Sequence, residues 1–512
     1  MIAEISKSRY CESLQCLKRV WLKKYKPETY DHSYDNPKIL KEGSDVGDLA
    51  MGLFGDYTEI KFTKDCEKMA VDTQKEMAKG TEIITEASFF IEGGLFASVD
   101  ILKNLGNGNV ELYEVKSSSE VKPVNIHDVA FQYYVLTKAG INVQKACLVH
   151  IDNSYVRQGK LNLKQLFKIV DFTDEVIALQ NQVKERIEVI AGYMKDAGNE
   201  EPNTKIGLQC YDDAKSLHPY RCPFFTHCTK NIPHPNVFDI RDMDKNIKIK
   251  LHDNGFDSFE EVLPQIKKKL ENTKGDQKKR KKYYQQVDME LHETSPYINK
   301  TKITEFLDEL HYPLYFLDFE TVDPVVPIFD GTKPRMKQVF QYSLHIIEYE
   351  GAELKHKEYL GDPRKDSRED IAKTLCDIIP HDACIIVYHS SFEISQLKEL
   401  AKRYPGYNDR LMKMITQIVD IEKPFQKRWY YTKAMKGSSS IKLVLPALFP
   451  DLPELDYANL EGVHDGEEAS STYLELAKLQ GEELEKKRKE MLEYCKLDTL
   501  GMVKIYEKLR DV

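Results

Sequence analysis

Asp100 and the run Glu114-Val115-Lys116 would place two carboxylates and one ammonium together if both segments are neighbouring strands. Two carboxylates can hold Mg²⁺ or Mn²⁺ through oxygen. A lysine beside them can orient an attacking water and stabilise charge gathering on phosphorus. A second set opens with Asp318-Phe319-Glu320 and closes with Tyr494 and Asp498. Asp318 and Glu320 end an apolar strand on one face, an unfavourable place for paired negative charges unless a cation joins them. Tyr494 and Asp498 stand four apart, on one face of a helix. Glu393 follows the strand-like Val387-Tyr-His and opens a helix, and Asp420 in Ile418-Val-Asp-Ile421 is an alternative fourth acid or a structural strand-end Asp. Each set points to metal-assisted phosphodiester cleavage. An E-x-K alone is equally an exposed charged strand face, so the elements around it matter.

Helical spacing runs from Ser6 to Tyr25, with Tyr10, Leu14, Leu17, Trp21 and Leu22 on one face and Ser6 or Ser8 as N-cap. Phe89–Ile101 and Val110–Lys116 read as strands joined by a hairpin turn at Asn104-Leu-Gly-Asn-Gly-Asn109. Helix Asp128–Ala139 carries Gln132 and ends at Gly140; strand Ala146–Ile151 and the long helix Phe172–Ala197 follow. From Asp239 to Glu305 the chain is rich in Lys, Glu and Gln, as a helical connector would be. Its run Lys278-Lys-Arg-Lys-Lys282 is a solvated face or a phosphate contact. Strands Tyr315–Phe319, Val339–Tyr349 and Ala383–His389, and helices Phe392–Arg403 and Gly481–Leu509, complete the pattern. Lys436-Gly-Ser-Ser-Ser-Ile-Lys442 is a loop entering a helix, where Ser440 amides and Lys442 suit a phosphate as well as an ordinary cap.

At 512 residues the chain should fold as two or three domains. An apolar content of 41% is that of a globular protein. A net charge of −9 excludes a surface that attracts nucleic acid everywhere, but not a local basic groove. No apolar run spans a membrane and no secretory signal is visible, so a cytoplasmic location is expected. In that setting ten cysteines do not suggest a disulfide framework. Cys11, Cys66, Cys147, Cys376, Cys384 and Cys495 read as buried packing.

Phe96-Ala-Ser-Val-Asp100, Glu114-Val-Lys-Ser-Ser118 and Asp128-Val-Ala-Phe-Gln-Tyr-Tyr134 resemble the RecB-like branch of the PD-(D/E)xK nucleases and are similar to its CRISPR-associated exonucleases. The resemblance implies Asp100 and Glu114 as metal ligands, Lys116 as the catalytic lysine and Gln132 as a helper. Two positions depart from the pattern: Leu136 stands where a Tyr is usual, and Gly47 where a His is usual. The same branch implies a [4Fe–4S] cluster on Cys16, Cys210, Cys222 and Cys228, tying the N-terminal helix to the end of the domain. Zinc, with His218 or His227, and plain buried cysteines are the alternatives.

Tyr315-Phe-Leu-Asp-Phe-Glu-Thr321 and Tyr494-Cys-Lys-Leu-Asp498 resemble the DEDD-type 3′–5′ exonucleases of the RNase H-like fold. That implies Asp318, Glu320, Glu393 and Asp498 around two metals about 3.5–4 Å apart, with Tyr494 positioning water. Glu393 departs from the usual Asp. The whole resembles an uncharacterised bacterial family fusing the two modules. The expectation is a multidomain α/β chain: a restriction-endonuclease-like PD-(D/E)xK core over 1–235, a helical connector over 236–308 and an RNase H-like domain over 309–512. The expected activity is a Mg²⁺- or Mn²⁺-dependent nuclease on single-stranded DNA ends, in repair, recombination or defence. RNA processing, or a nucleic-acid-binding clamp with inactive modules, are the alternatives.

Overall fold

A computed structural model describes residues 4–195, 200–272, 277–292 and 295–512, leaving aside the side chains of 195 and 271–280. The chain divides into two compact units, Met1–Ile232 with Val325–Arg335, and Pro233–Pro324 with Met336–Val512. A boundary near Pro233 matches the change in composition. Residues 236–308 are not a separate connector, however. Met289, Ile303 and Phe306 are buried in the core of the second unit, which is why that stretch folds with it. Segment 325–335 folds into the first unit: Val325 is buried beside Val46, and Arg157 donates from its backbone to Thr332 (3.0 Å).

In the first unit a mixed sheet has the order β2–β3–β4–β5–β6–β7, with β1 beside β4. The strands are β1 (Ile5–Ser6), β2 (Thr58–Glu59), β3 (Ile83–Ile91), β4 (Leu95–Gly106), β5 (Asn109–Lys116), β6 (Asn142–Ile151) and β7 (Phe167–Asp171). The strand expected over Phe89–Ile101 is in fact two strands. Gly93 and Gly94 turn the chain with φ of 88° and 74°. A Cβ on Gly94 would come within 2.9 Å of Glu4, whose backbone docks there. The expected β4–β5 hairpin forms, with positive φ at Asn107 (53°) and Gly108 (74°). The expected helix over Ser6–Tyr25 is broken into Lys7–Gln15 and Leu17–Tyr25 by Cys16, which is extended (φ −165°). Ser6 caps the first helix by accepting from the Arg9 amide (3.4 Å). Helix Pro123–Lys138 begins earlier than the apolar pattern suggested, because Pro123 suits its first turn. The helix expected over Phe172–Ala197 is split into Thr173–Ala178 and Gln180–Lys195, and its expected end lies outside the described residues.

The second unit holds a five-stranded sheet in the order β11–β10–β9–β12–β13 and a two-stranded ribbon, β14–β8. Its strands are β8 (Tyr297–Ile298), β9 (Leu314–Val322), β10 (Gln338–Ile347), β11 (Lys355–Leu360), β12 (Cys384–Val387), β13 (Ile418–Asp420) and β14 (Tyr430–Tyr431). β9, β10 and β11 are antiparallel neighbours; β12 and β13 run parallel to β9. Central β9 buries both faces, Phe316 in one cluster and Leu317 with Phe319 in the other. Each such side chain contributes about 1.5–3 kcal/mol. The last helix, Gly481–Arg510, lies against β9 and β10. Thr499 fixes it there: its hydroxyl lies 2.7 Å from both the Ser343 hydroxyl and His345 Nδ1. Ser343 is the β10 partner of Asp318, so this anchor sets the helix acids beside the strand acids. No described helix is long and apolar enough to cross a membrane.

Candidate functional site

Strand alternation turns Asp318 and Glu320 to one face of β9. Asp318, Glu320 and Asp498 each offer an oxygen, and the three oxygens lie within 4.8 Å of one another. Glu320 and Asp498 are buried. Burial, then Asp498, pushes the Glu320 carboxyl up to about 8; burial pushes Asp498 up to about 6. Asp318 is raised well above the usual carboxylate range, by burial and by Asp498. Three hard oxygens packed this closely suit Mg²⁺ or Mn²⁺. A divalent ion would remove the repulsion that raises them, so the residues present fit the metal.

Tyr457, which the sequence reading missed, donates to Asp498 Oδ1 (2.7 Å). Tyr494 lies close by and lowers the pKa of Asp498. Burial, then Asp498, drives the Tyr494 phenol far above its ordinary range, so it serves as a donor and not as a base. Lys442 lies 5.7 Å from both the Tyr457 and Tyr494 ring centres and pulls down the pKa of Glu320 and Asp498. It therefore faces the acids. Ser440 is the residue before helix Ile441–Leu448, and its amide donates to Ser438 Oγ (3.1 Å). Cys495, expected to be mere packing, directs its thiol at Asp318 Oδ2 (3.6 Å).

Glu393 stands in the first turn of helix Ser391–Arg403, outside the close trio, yet it feels Asp498. Its Oε2 is buried with no hydrogen-bond partner, and burial pushes the group up to about 8. Asp420 instead accepts from the backbone amides of His389 (3.1 Å), Ser390 (2.9 Å) and Glu422 (3.0 Å). That is a structural clamp on the β12 exit.

The other acids are arranged differently. β1 and β5 flank different parts of β4: β1 pairs at Leu95–Phe96 and β5 from Ile101 onward. Asp100 lies at this fork and accepts the Val115 amide on Oδ2 (2.7 Å). Glu86, with φ of 54°, falls between the paired residues Thr85 and Ala87, as Asp100 falls between their partners Ile101 and Val99. Burial and Asp100 raise its pKa. Glu114 is buried, and its oxygens receive Lys7 Nζ (2.9 and 3.0 Å), Lys116 Nζ (2.6 Å) and Gln132 Nε2 (2.7 Å). Lys7 also lies 3.5 Å from Asp100. Lys116 pairs with Asp128 as well (2.7 Å), and Asp128 accepts from Gln132 (3.1 Å). Burial opposes both ammonium groups, but the acids outweigh it and hold each well above the ordinary lysine range.

The cation between Asp100 and Glu114 is thus Lys7, from the start of the N-terminal helix. A metal shared by those two acids would need the place Lys7 holds. These residues do not fit a metal in this arrangement. A cavity of about 350 Å³ opens beside them, lined by Lys7, Cys11, Glu114, Lys116, Asp128 and Tyr220. Cys11 therefore borders these acids. Leu136 is fully buried among core side chains, and a Cβ at Gly47 would meet nothing within 4 Å.

Cys16, Cys210, Cys222 and Cys228 gather at the junction of the N-terminal helices and the end of the first unit. Burial raises Cys210 to about 12 and Cys222 to about 11, and the neighbouring thiols add to each rise. Gln15 ties the junction by donating to the carbonyls of Gln209 and Tyr220 (2.9 Å each). Zinc holds thiolates about 3.8 Å apart, given Zn–S of about 2.3 Å. Among the described residues no three of these sulfurs lie within 4.8 Å of one another. His227 is engaged by Glu201 (3.0 Å), and His218 Nδ1 lies 3.1 Å from the Tyr211 carbonyl.

A family model described as a domain of unknown function (DUF2779) matches residues 315–440, which include Asp318, Glu320, Glu393 and Asp420 but not Tyr494 or Asp498. The chain is similar to the uncharacterized protein UU173 of Ureaplasma parvum serovar 3, at 28% identity over 151 residues. That similarity covers 27% of this chain and spans only 22% of the relative's length. No solved structure matches the chain.

Proposed function

We propose that this protein is a metal-dependent nuclease acting on single-stranded DNA ends, with its hydrolytic centre at Asp318, Glu320 and Asp498. The observation that carries this reading is three carboxylate oxygens within 4.8 Å of one another, two of them on buried residues and all three groups raised in pKa. A divalent ion bound there would supply Lewis acidity to a phosphoryl group. Tyr457 orients Asp498, Tyr494 positions water, and Glu393 is the reserve acid. Lys442 offers a charge to the phosphate. The strand order supports the reading: three antiparallel strands extended by two parallel to the first is what an RNase H-like exonuclease would have.

The first unit supports a different role. Its acids are already neutralised by Lys7 and Lys116, which favours binding of the strand over cutting it. Its strand Asp, E-x-K and helix Gln still match a RecB-like PD-(D/E)xK module. Cys16, Cys210, Cys222 and Cys228 would hold an iron–sulfur cluster as a clasp.

The test is cleavage of end-labelled single-stranded DNA with Mn²⁺ by anaerobically purified protein. Wild type is compared with Asp318→Ala and Glu114→Ala, with RNA of the same sequence alongside. Loss of stepwise 3′ shortening in Asp318→Ala alone is the expected result. Loss in Glu114→Ala alone would overturn the assignment of the centre. Binding without cleavage of either polymer would leave a clamp.

A further inference from the structure

A small cavity of about 120 Å³ in the second unit is lined by Arg241, Asp242, Lys282, Arg428 and the loop Gly437–Ser439. At about 30 Å³ per water it has the space of roughly four waters, enough for a phosphate group with solvent. Three cationic residues and one acidic residue line it. Arg428 is only 7% exposed. Its Nη2 donates to the Gly437 carbonyl (2.6 Å) and its guanidinium stacks on Tyr431 at 4.2 Å. Its Nη1 is buried and has no partner. A guanidinium is a planar fork, and with one arm fixed on Gly437 the unpartnered Nη1 is a donor still to be satisfied. Leaving such a donor unpaired in a low-dielectric site is unfavourable.

Lys282 ends the basic run 278–282, of which only Lys281 and Lys282 have described side chains. Burial, then Arg428, holds its pKa below the ordinary lysine range. An anion would relieve that repulsion. The walls are fixed. Gln286 accepts from the Arg241 amide (2.9 Å), and a Cβ on Gly437 would come within 2.4 Å of the same Gln286 oxygen. The loop forming one wall also reaches the acid cluster. Tyr388 donates to the Ser439 carbonyl (2.6 Å), and Lys442, just beyond Ser440, faces Glu320 and Asp498.

We propose that Arg428, Lys282 and Arg241 form a phosphate-binding pocket, and that it takes a backbone phosphate of the strand whose end reaches Asp318, Glu320 and Asp498. The second half rests on the nuclease reading; the first does not. The test uses the full chain in chelator, so that nothing is cut. Inorganic phosphate is titrated at constant ionic strength and followed by ³¹P line width and thermal shift. A labelled single-stranded oligonucleotide is followed by anisotropy across a salt series. Wild type should bind phosphate saturably, and Lys282→Ala should weaken it roughly tenfold, about 1.4 kcal/mol. The oligonucleotide should weaken too, its salt slope falling by about one.

Arg428→Gln should abolish phosphate binding; because Arg428 also holds Gly437, half-buried Lys282 provides the variant that spares the fold. No saturable phosphate effect in wild type, or an unchanged one in Lys282→Ala, overturns the pocket. Phosphate binding lost in Lys282→Ala with oligonucleotide affinity intact overturns the strand assignment and leaves a free phosphate or nucleotide as the ligand. Asp318→Asn should keep the phosphate response. If wild type shows that response but cuts no nucleic acid in Mn²⁺, the pocket stands and the nuclease reading falls.

Discussion

Asp498 carries the most consequential single contact, since Tyr457 donates to it at 2.7 Å. A residue that orients a metal-binding carboxylate tunes affinity by about 10–100-fold. Tyr457→Phe should therefore weaken Mn²⁺ binding by that factor, with the fold intact by circular dichroism. Mn²⁺ titration by calorimetry checks this, and unchanged affinity would remove Tyr457 from the centre. Lys7 carries the opposite kind of contact. Removing one member of a buried pair leaves an uncompensated charge and costs about 3–5 kcal/mol. Lys7 is a quarter exposed (26%), so the lower end applies to Lys7→Met. Denaturant unfolding should show a loss of about 3 kcal/mol. Mn²⁺ should restore part of it, because Asp100 and Glu114 are then free to take an ion. A variant as stable as wild type would mean Lys7 does not neutralise these acids.

Whole elements depend on a few polar anchors. Helix Gly481–Arg510 brings Tyr494 and Asp498 to β9, and Thr499 holds it through Ser343 and His345. Thr499→Val keeps the shape and removes the hydroxyl, leaving buried His345 Nδ1 without its partner while Ser343 keeps His356 (2.9 Å). A loss of about 1–3 kcal/mol is expected, with Mn²⁺ affinity falling in parallel. Hydrogen exchange along 481–510 would reveal the loosened helix; unaltered protection would place the anchor elsewhere. At the other end, the break at Cys16 lets two short helices turn where one was expected. Apolar spacing alone cannot show such a break, because both helices bury the same stripe. Gln15→Ala should release Cys16 from the segments holding Cys210 and Cys222. If the four cysteines hold the proposed cluster, iron and acid-labile sulfide in anaerobic protein should then fall together, as in Cys210→Ser. Retention of both would detach Gln15 from the clasp.

For the molecule as a whole, the acid cluster gives stability a distinctive pH dependence. Unfolded carboxylates titrate near 4, whereas Glu320 and Glu393 are held up to about 8 and Asp498 to about 6. Between those limits the native chain holds more protons than the unfolded one. This contribution is complete below about pH 4 and is lost as pH rises through the folded values. Its slope is about −1.4 kcal/mol per pH unit for each such proton. Buried His345, pushed down to about 3 by burial and His356, acts in the opposite sense, losing its contribution as pH falls below about 6.5. From pH 6.5 to 8 the acids therefore act with little opposition. Metal-free protein should melt at a lower temperature at pH 8 than at pH 6.5, and Mn²⁺ should cancel or reverse the trend. A metal-free melting temperature that rises over this window would contradict the acid cluster.

Local order in the sequence determined which residues the candidate site draws on. Asp318 and Glu320 share a face because strands alternate, and Tyr494 and Asp498 share one because helices repeat. The β4–β5 hairpin was equally legible, since Asn107-Gly108 supplies the positive φ it needs. The β3–β4 break was written in Gly93-Gly94, although apolar continuity across it concealed the turn. What only the tertiary structure decided are contacts between distant segments. Lys7 fills the space between Asp100 and Glu114 from 107 positions away, and no spacing rule links them. Tyr457 meets Asp498 across 41 positions, and Gln15 meets Tyr220 across 205. Such partners have no period and no neighbouring motif. They are chosen by packing, because a buried carboxylate or amide must find a mate wherever the fold brings one.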